Sequence, residues 1–164
     1  MEPRAEWEID PRGVLDILVV APLALGYSAR RIGAPTTMII EIQFTDRPIS
    51  LPPCVAEPGT GAVLEFQGVV RDRENGGKIS ALVYELYAPM AEKVMRQILQ
   101  DLAVLHPCLY AGVIHRYGVV PAGEMAIYVR VESAHRGAGL RVMEEFMNRL
   151  KSDVPIWKTG SLPS

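Results

Sequence analysis

From residue 61 onward the chain repeats one order of events: two strand-like runs, then a helical run, then the same again. Residues 62–70 read as a strand, and a polar, glycine-containing loop follows at 71–78. Residues 79–87 read as a second strand, with Leu82, Tyr84 and Leu86 on one face. Pro89 then stands where a helix can begin, because its missing N–H is not needed in the first turn. Val94, Ile98, Leu102 and Leu105 follow at helical spacing, and His106-Pro107 ends the helix. Strands at 110–117 and 124–132, joined by a connection at 118–123, precede a second helix from about 137 to 151. Its apolar side is expected at Leu140, Met143, Met147 and Leu150. Strands that arrive in pairs before each helix favour an α+β fold, a mixed or antiparallel sheet packed with helices, over a doubly wound sheet.

Upstream, Met38 opens a further strand-like run at 38–44. Residues 1–37 differ from the rest, mixing acidic, apolar and arginine-rich patches without a period. Two readings stand for this extension: a dispensable stretch ahead of a true start at Met38, or a short accessory helix. The domain is therefore expected at 38–164. A chain of 164 residues with 49% hydrophobic content can bury a real core. Its net charge of −2 argues against general affinity for nucleic acid or for an acidic membrane surface, so any cationic site must be local. The longest apolar stretch, residues 14–25, is interrupted by Asp16 and Pro22 and is too short to span a bilayer. The ten residues at the start are net acidic, unlike a secretory signal. Cys54 and Cys108 form neither a CxxC pair nor a ligand-like spacing, which fits a reducing, cytoplasmic setting.

The basic residues of the last third cluster at element ends. Lys151 falls in the last turn of the second helix, and Pro155 forces the following residues to run extended. Lys158 could thereby fold back toward Lys151, anchored by burial of Ile156 and Trp157. The plain alternative is a lysine that complements the helix dipole and a second one in a solvated tail. His135-Arg136 follows a strand and opens a helix, a placement that suits a phosphate, or else a surface turn. Arg71 closes the strand ending in Val69-Val70; a solvated loop arginine is the alternative. His106, His115 and His135 lack metal-ligand spacing, and His115 suits a packed strand position. Neither cysteine lies in the basic segments, so a thiol nucleophile from this chain is not expected. No GxGxxG, P-loop or GxSxG occurs.

These segments, in this order, resemble the large, catalytic subunit family of molybdopterin synthase. The stretches that carry the likeness are Gly61-Ala-Val-Leu-Glu-Phe-Gln-Gly-Val-Val-Arg-Asp72, Leu86-Tyr-Ala-Pro-Met-Ala-Glu-Lys93, Ile114-His-Arg-Tyr-Gly118, Gly123-Glu124, Ser133-Ala-His-Arg136 and Leu150-Lys-Ser-Asp-Val-Pro-Ile-Trp-Lys158. The ending Lys-x-x-x-Pro-x-Trp-Lys is the strongest element. The resemblance implies an α/β-hammerhead fold and a sulfurtransferase of molybdenum cofactor biosynthesis. It also implies a homodimer at the core of a heterotetramer, flanked by a small ubiquitin-like sulfur carrier whose C-terminal glycine bears a thiocarboxylate. Sulfur would pass twice to cyclic pyranopterin monophosphate, with no cofactor and no metal. By position, Lys151 looks like the lysine beside the thiocarboxylate, a proton-transfer group, and Lys158 like its companion on the pterin. Val69, Val70 and Arg71 resemble a substrate-binding edge. His135 and Arg136 look like a phosphate anchor supplied across the dimer, and Thr159 and Gly160 continue the last binding segment. Members of the family commonly follow the last lysine with a basic and an acidic residue and a longer tail. Here Thr159-Gly160-Ser161-Leu162-Pro163-Ser164 follows instead. A non-catalytic homo-oligomer that binds a phosphorylated pterin or nucleotide in the same pocket is the alternative.

Overall fold

The structure, a computed structural model, describes residues 38–51, 53 and 55–164. The extension at 1–37 and Cys54 lie outside the described residues.

Ten elements follow Met38: β1 (Ile39–Thr45), β2 (Ala62–Val69), β3 (Arg73–Glu74), β4 (Gly77–Leu86), α1 (Ala88–Leu105), β5 (Tyr110–Arg116), β6 (Gly118–Pro121), β7 (Met125–Ser133), α2 (Arg136–Asp153) and β8 (Ile156–Pro163). One sheet has the order β1-β5-β7-β2, with β1 parallel to β5 and the other pairs antiparallel. In the second sheet β4 pairs with β3, β6 and β8, all antiparallel. Two mixed or antiparallel sheets with two helices are the α+β architecture that the paired-strand order predicts.

Both helices pack their apolar stripes on one face of the first sheet. From α1 come Ala91, Met95, Ile98, Leu99 and Leu102, and from α2 Gly139, Val142 and Phe146. They meet Ala111, Val113, Val129 and Val131, alternate residues of the central strands β5 and β7. Full burial of a side chain such as Phe146 stabilises by about 1.5–3 kcal/mol. The stripe on α2 is rotated from the expected one: Leu140 is 54% exposed, while Met143, Met147 and Leu150 flank the buried line. Leu105 at the end of α1 is likewise exposed. Glycine explains the rotation, because a Cβ at Gly139 would lie 2.5 Å from Leu64 Cδ1, so the helix approaches β2 through its smallest residue.

Two stretches expected as connections are strands. Residues 71–78 fold into a β3–β4 hairpin whose turn is Asn75-Gly76, both left-handed, at φ 48° and 84°. Residues 118–121 form β6 between two glycines with positive φ, Gly118 (74°) and Gly123 (87°), and Val120 is wholly buried against the second small core with Leu82 and Ile79.

Candidate functional site

The turn between β7 and α2 is tied down by backbone contacts. Gly61 N–H donates to Ser133 O at 3.0 Å, and Ser133 Oγ donates to His135 O at 2.9 Å. A Cβ on Gly61 would fall 2.3 Å from the Ala134 carbonyl oxygen, so the start of β2 and this turn touch backbone to backbone. His135 caps α2 in an extended conformation, and its side chain makes no capping hydrogen bond. The first N–H groups of the helix therefore carry no side-chain acceptor from this residue, and their dipole favours an anion. His135 and Arg136 are exposed and line a recess of roughly 400 Å³ with Gly61, Ala134 and Gly137.

Lys151 occupies the last turn of the same helix. It is exposed, and its side chain has no hydrogen-bond or ion-pair partner among the described residues. Val154, buried and extended, stops α2, and Tyr87 N–H donates to Pro155 O at 3.3 Å, seating the start of β8 beside the start of α1. From there β8 runs along β4, with Trp157 opposite Glu85 and Lys158 opposite Tyr84. Trp157 is 54% exposed, so the expected anchoring by its burial does not occur. The β4–β8 ladder holds the segment instead.

The Lys158 ammonium pairs with the Glu74 carboxylate on the hairpin, and that hydrogen bond holds the Glu74 carboxyl below its usual range. Arg71 adds a smaller pull in the same direction. Glu74, Lys158, Thr159 and Gly160 line one recess of roughly 300 Å³. Val70 is buried, with both backbone groups used: its N–H donates to Glu124 O at 3.0 Å, and its carbonyl accepts from Gly123 N–H at 2.8 Å. Val69 is half-exposed beside it.

The structure thus gathers Lys158, Thr159 and Gly160 around Glu74, with Arg71 near enough only to act weakly on its charge, and sets Lys151 on the helix end from which β8 departs. It does not bring His135 and Arg136 to them within one protomer. Fifteen residues of α-helix separate Arg136 from Lys151, about 22 Å at about 1.5 Å per residue. Glu74 is a residue the sequence reading missed. The signal was available in Asn75-Gly76, a dipeptide that favours a two-residue hairpin and would have placed Glu74 on a strand.

A further cavity, roughly 510 Å³, lies elsewhere, on the face of the first sheet away from the helices, beside Glu41, Tyr110, Arg130 and Glu132. Arg130 and Glu132 are buried there as a 2.6 Å ion pair, and Glu132 also accepts from Glu57 N–H and Thr60 Oγ. The arginine's charge is consumed within the fold, so this cavity does not share the chemistry of the cationic recesses.

His115 is buried and packed edge-on against Tyr84, with Nδ1 2.7 Å from Arg116 O. This is the structural role its strand position predicts. Burial pushes the Cys108 thiol up to about 11, which keeps it protonated and unreactive. No group of three His, Cys, Asp or Glu side chains suited to a metal exists among the described residues, and no helix among them is long and apolar enough to cross a membrane.

Comparison with known proteins follows the same lines. The chain is 40% identical over 120 residues to the molybdopterin synthase catalytic subunit of Rattus norvegicus, a match covering 71% of this chain and 60% of that relative. It is 34% identical over 124 residues to the protein of the same name from Thermoplasma volcanium, covering 75% of this chain and 90% of the relative. The chain thus spans about three fifths of the rat relative's length. Its fold matches the crystal structure of molybdopterin synthase from Staphylococcus aureus with a TM-score of 0.65 at 32% identity, over 73% of this chain and 93% of that one. The family model for the MoaE protein matches residues 44–153, which carry Arg71, His135, Arg136 and Lys151, and the chain belongs to the MoaE family.

Proposed function

We propose that residues 38–164 form the catalytic subunit of a molybdopterin synthase, a sulfurtransferase acting in molybdenum cofactor biosynthesis in the cytoplasm. The substrate is cyclic pyranopterin monophosphate, and sulfur arrives on a small carrier protein ending in a thiocarboxylate. The observation that supports this reading best is a recess lined by His135 and Arg136, with a second one beside the Lys158–Glu74 pair, in a chain whose described thiol is buried and protonated. Such a surface suits an anionic substrate and needs its sulfur from outside.

In this reading His135 and Arg136 hold the cyclic phosphate, helped by the open N–H groups of α2. Arg71, with Val69 and Val70, forms the edge on which the pterin lies, and Lys158, Thr159 and Gly160 form the opposite wall. Lys151, exposed and without an ion-pair partner among the described residues, stands beside the thiocarboxylate and moves a proton during transfer. The separation of about 22 Å along α2 exceeds what one small substrate can bridge. Each complete site therefore draws His135 and Arg136 from a second copy, which makes a homodimer with two carriers the working assembly.

The test is turnover with purified chain, thiocarboxylated carrier and cyclic pyranopterin monophosphate, reading molybdopterin formed. Lys151→Ala is expected to lower the rate by about 10²–10⁴-fold, the usual worth of a positioned acid–base group, with the fold intact. Near-normal turnover in that variant would remove the role given to Lys151. Absence of turnover in the unaltered protein, with carrier loaded and substrate intact, would overturn the function itself.

A further inference from the structure

The Glu74 carboxylate is unusual among the groups of this recess in carrying negative charge where an anionic substrate is expected. Its place is fixed by local structure. Asn75 and Gly76 both adopt left-handed backbone conformations, which close a two-residue turn and pair Glu74 with Gly77 and Arg73 with Lys78. The Glu74 side chain is only 16% exposed, whereas Lys158, with which it pairs, is 45% exposed. The lysine is also fixed at its root, because β8 pairs with β4 on both sides of it, with a register shift between Val83 and Tyr84 where Lys158 stands.

Two cations, Arg71 and Lys158, act on this one carboxylate. Lys158 lines a recess of roughly 300 Å³ with Glu74, Thr159 and Gly160, and Glu74 is the carboxylate that meets its ammonium there. A lysine has four rotatable carbons and loses much side-chain entropy when held, so an unpartnered Lys158 would sample solvent. A carboxylate partner takes one of the three ammonium donors and leaves two for a ligand.

We propose that Glu74 is a positioning residue: it holds the Lys158 side chain and aims its ammonium into the recess shared with Thr159 and Gly160. This inference rests on the proposed function for its kinetic consequence, but the placement of Lys158 can be read without turnover. An ion pair whose lysine is 45% exposed is screened by solvent and contributes little to stability, so the effect belongs to geometry and not to folding.

The experiment combines two readouts on Glu74→Gln, Glu74→Ala, Lys158→Ala and the Glu74→Ala/Lys158→Ala double variant. The first is competitive labelling with trace acetic anhydride, with the acetylated fraction of each lysine measured by mass spectrometry. Lys158 is expected to react several-fold more slowly than the exposed Lys93 in the unaltered protein, and the gap should close in Glu74→Ala. Equal reactivity of Lys158 with and without Glu74 would overturn the proposal. The second readout is steady-state turnover. Glu74→Ala should lower kcat on the order of tenfold, Glu74→Gln, which can still accept the hydrogen bond, should lose less, and the double variant should be no slower than Lys158→Ala alone. Multiplicative losses in the double variant would show that Glu74 acts independently of Lys158, and would also overturn the proposal. If the unaltered protein shows no turnover while labelling still depends on Glu74, the function fails and the positioning role stands.

Discussion

Gly61 offers a way to move the proposed phosphate anchor without touching it. In Gly61→Ala the added Cβ would start 2.3 Å from the Ala134 carbonyl oxygen and 3.3 Å from its carbonyl carbon. Carbon and oxygen in close non-bonded contact sit about 3.3–3.6 Å apart, so roughly 1 Å of movement is required. The movement cannot fall on β2, because its ladder with β7 runs from the Ala62–Ser133 pair to Val69. It falls on the turn Ala134-His135-Arg136, whose other ties are the Gly61 N–H to Ser133 O bond and the Ser133 Oγ to His135 O bond. Overpacking of this kind costs about 1–3 kcal/mol, which in a domain of this size lowers Tm by roughly 3–10 °C. A misplacement of about 1 Å at a substrate-holding group can cost up to about 10²-fold in rate.

Gly61→Ala is therefore expected to raise KM for the pterin substrate at least tenfold, on the scale of that geometric loss, with carrier binding nearly unchanged. Thermal melting and separate titrations of substrate and carrier measure all three effects. Gly137→Ala is the control from the same turn. A Cβ there meets nothing within 4 Å and would gain about 0.5–1 kcal/mol of helix propensity. An unchanged KM and Tm in Gly61→Ala, or an equal loss in Gly137→Ala, would refute the argument that backbone contact at Gly61 sets the anchor.

Three more outcomes test the assignment. Arg136→Ala should weaken binding of the phosphate-bearing substrate by about tenfold or more while carrier affinity changes little, since a charge-assisted bond to phosphate is worth about 1.5–3 kcal/mol; equal losses by titration would exclude a phosphate anchor. Burial lowers the His115 pKa below its ordinary 6.5, so the unfolded chain takes up the proton first and stability declines as pH falls below that value; His115→Gln should flatten this part of a Tm-against-pH curve relative to the unaltered protein, and an identical slope would show that His115 does not titrate on unfolding. Cys108, with its thiol near 11, is thiolate in only about one molecule in a thousand at pH 8. Iodoacetamide should leave it unmodified in the folded chain, and Cys108→Ser should keep full turnover; loss of transfer in that variant would return a thiol to the mechanism.

The strands that carry alternating apolar residues and the helices marked by Pro89 and Pro155 were legible in the sequence because period and chain breakers are local signals. The parts that were not legible depend on neighbours. Val119-Val120 is too short to show a period, and it is a strand because its backbone pairs with Val83 and Leu82 of β4, with Val120 buried. The α2 stripe turned toward Val142 and Phe146 because Gly139 fits against Leu64, a packing fact that apolar spacing does not contain. Trp157 stays exposed because backbone pairing of β8 with β4 already fixes its segment. Among the candidate site residues, His135, Arg136, Lys151 and Lys158 were visible as cations at element ends. Glu74 was overlooked, since a search for cations passes over the carboxylate that pairs with Lys158.

The length of α2 is what makes these cations useful. An 18-residue helix presents its positive dipole end beside His135 and Arg136 and its negative end beside Lys151. An anion is therefore favoured at the first end by dipole and side chains together, whereas at the second end Lys151 answers the helix's own carbonyls. That lysine is free of any carboxylate among the described residues, while Lys158, a few residues on, is bound to one. The two lysines are thus not equivalent. In the proposed function the unpaired Lys151 ammonium would donate a proton, and Lys158, held by Glu74, would orient a ligand. The proposed reaction, which must hold a phosphate, orient a ring and move a proton, would use these three kinds of cation. A single protomer separates the first from the other two by the length of the helix, so pairing two protomers is the step that would bring all three to one substrate.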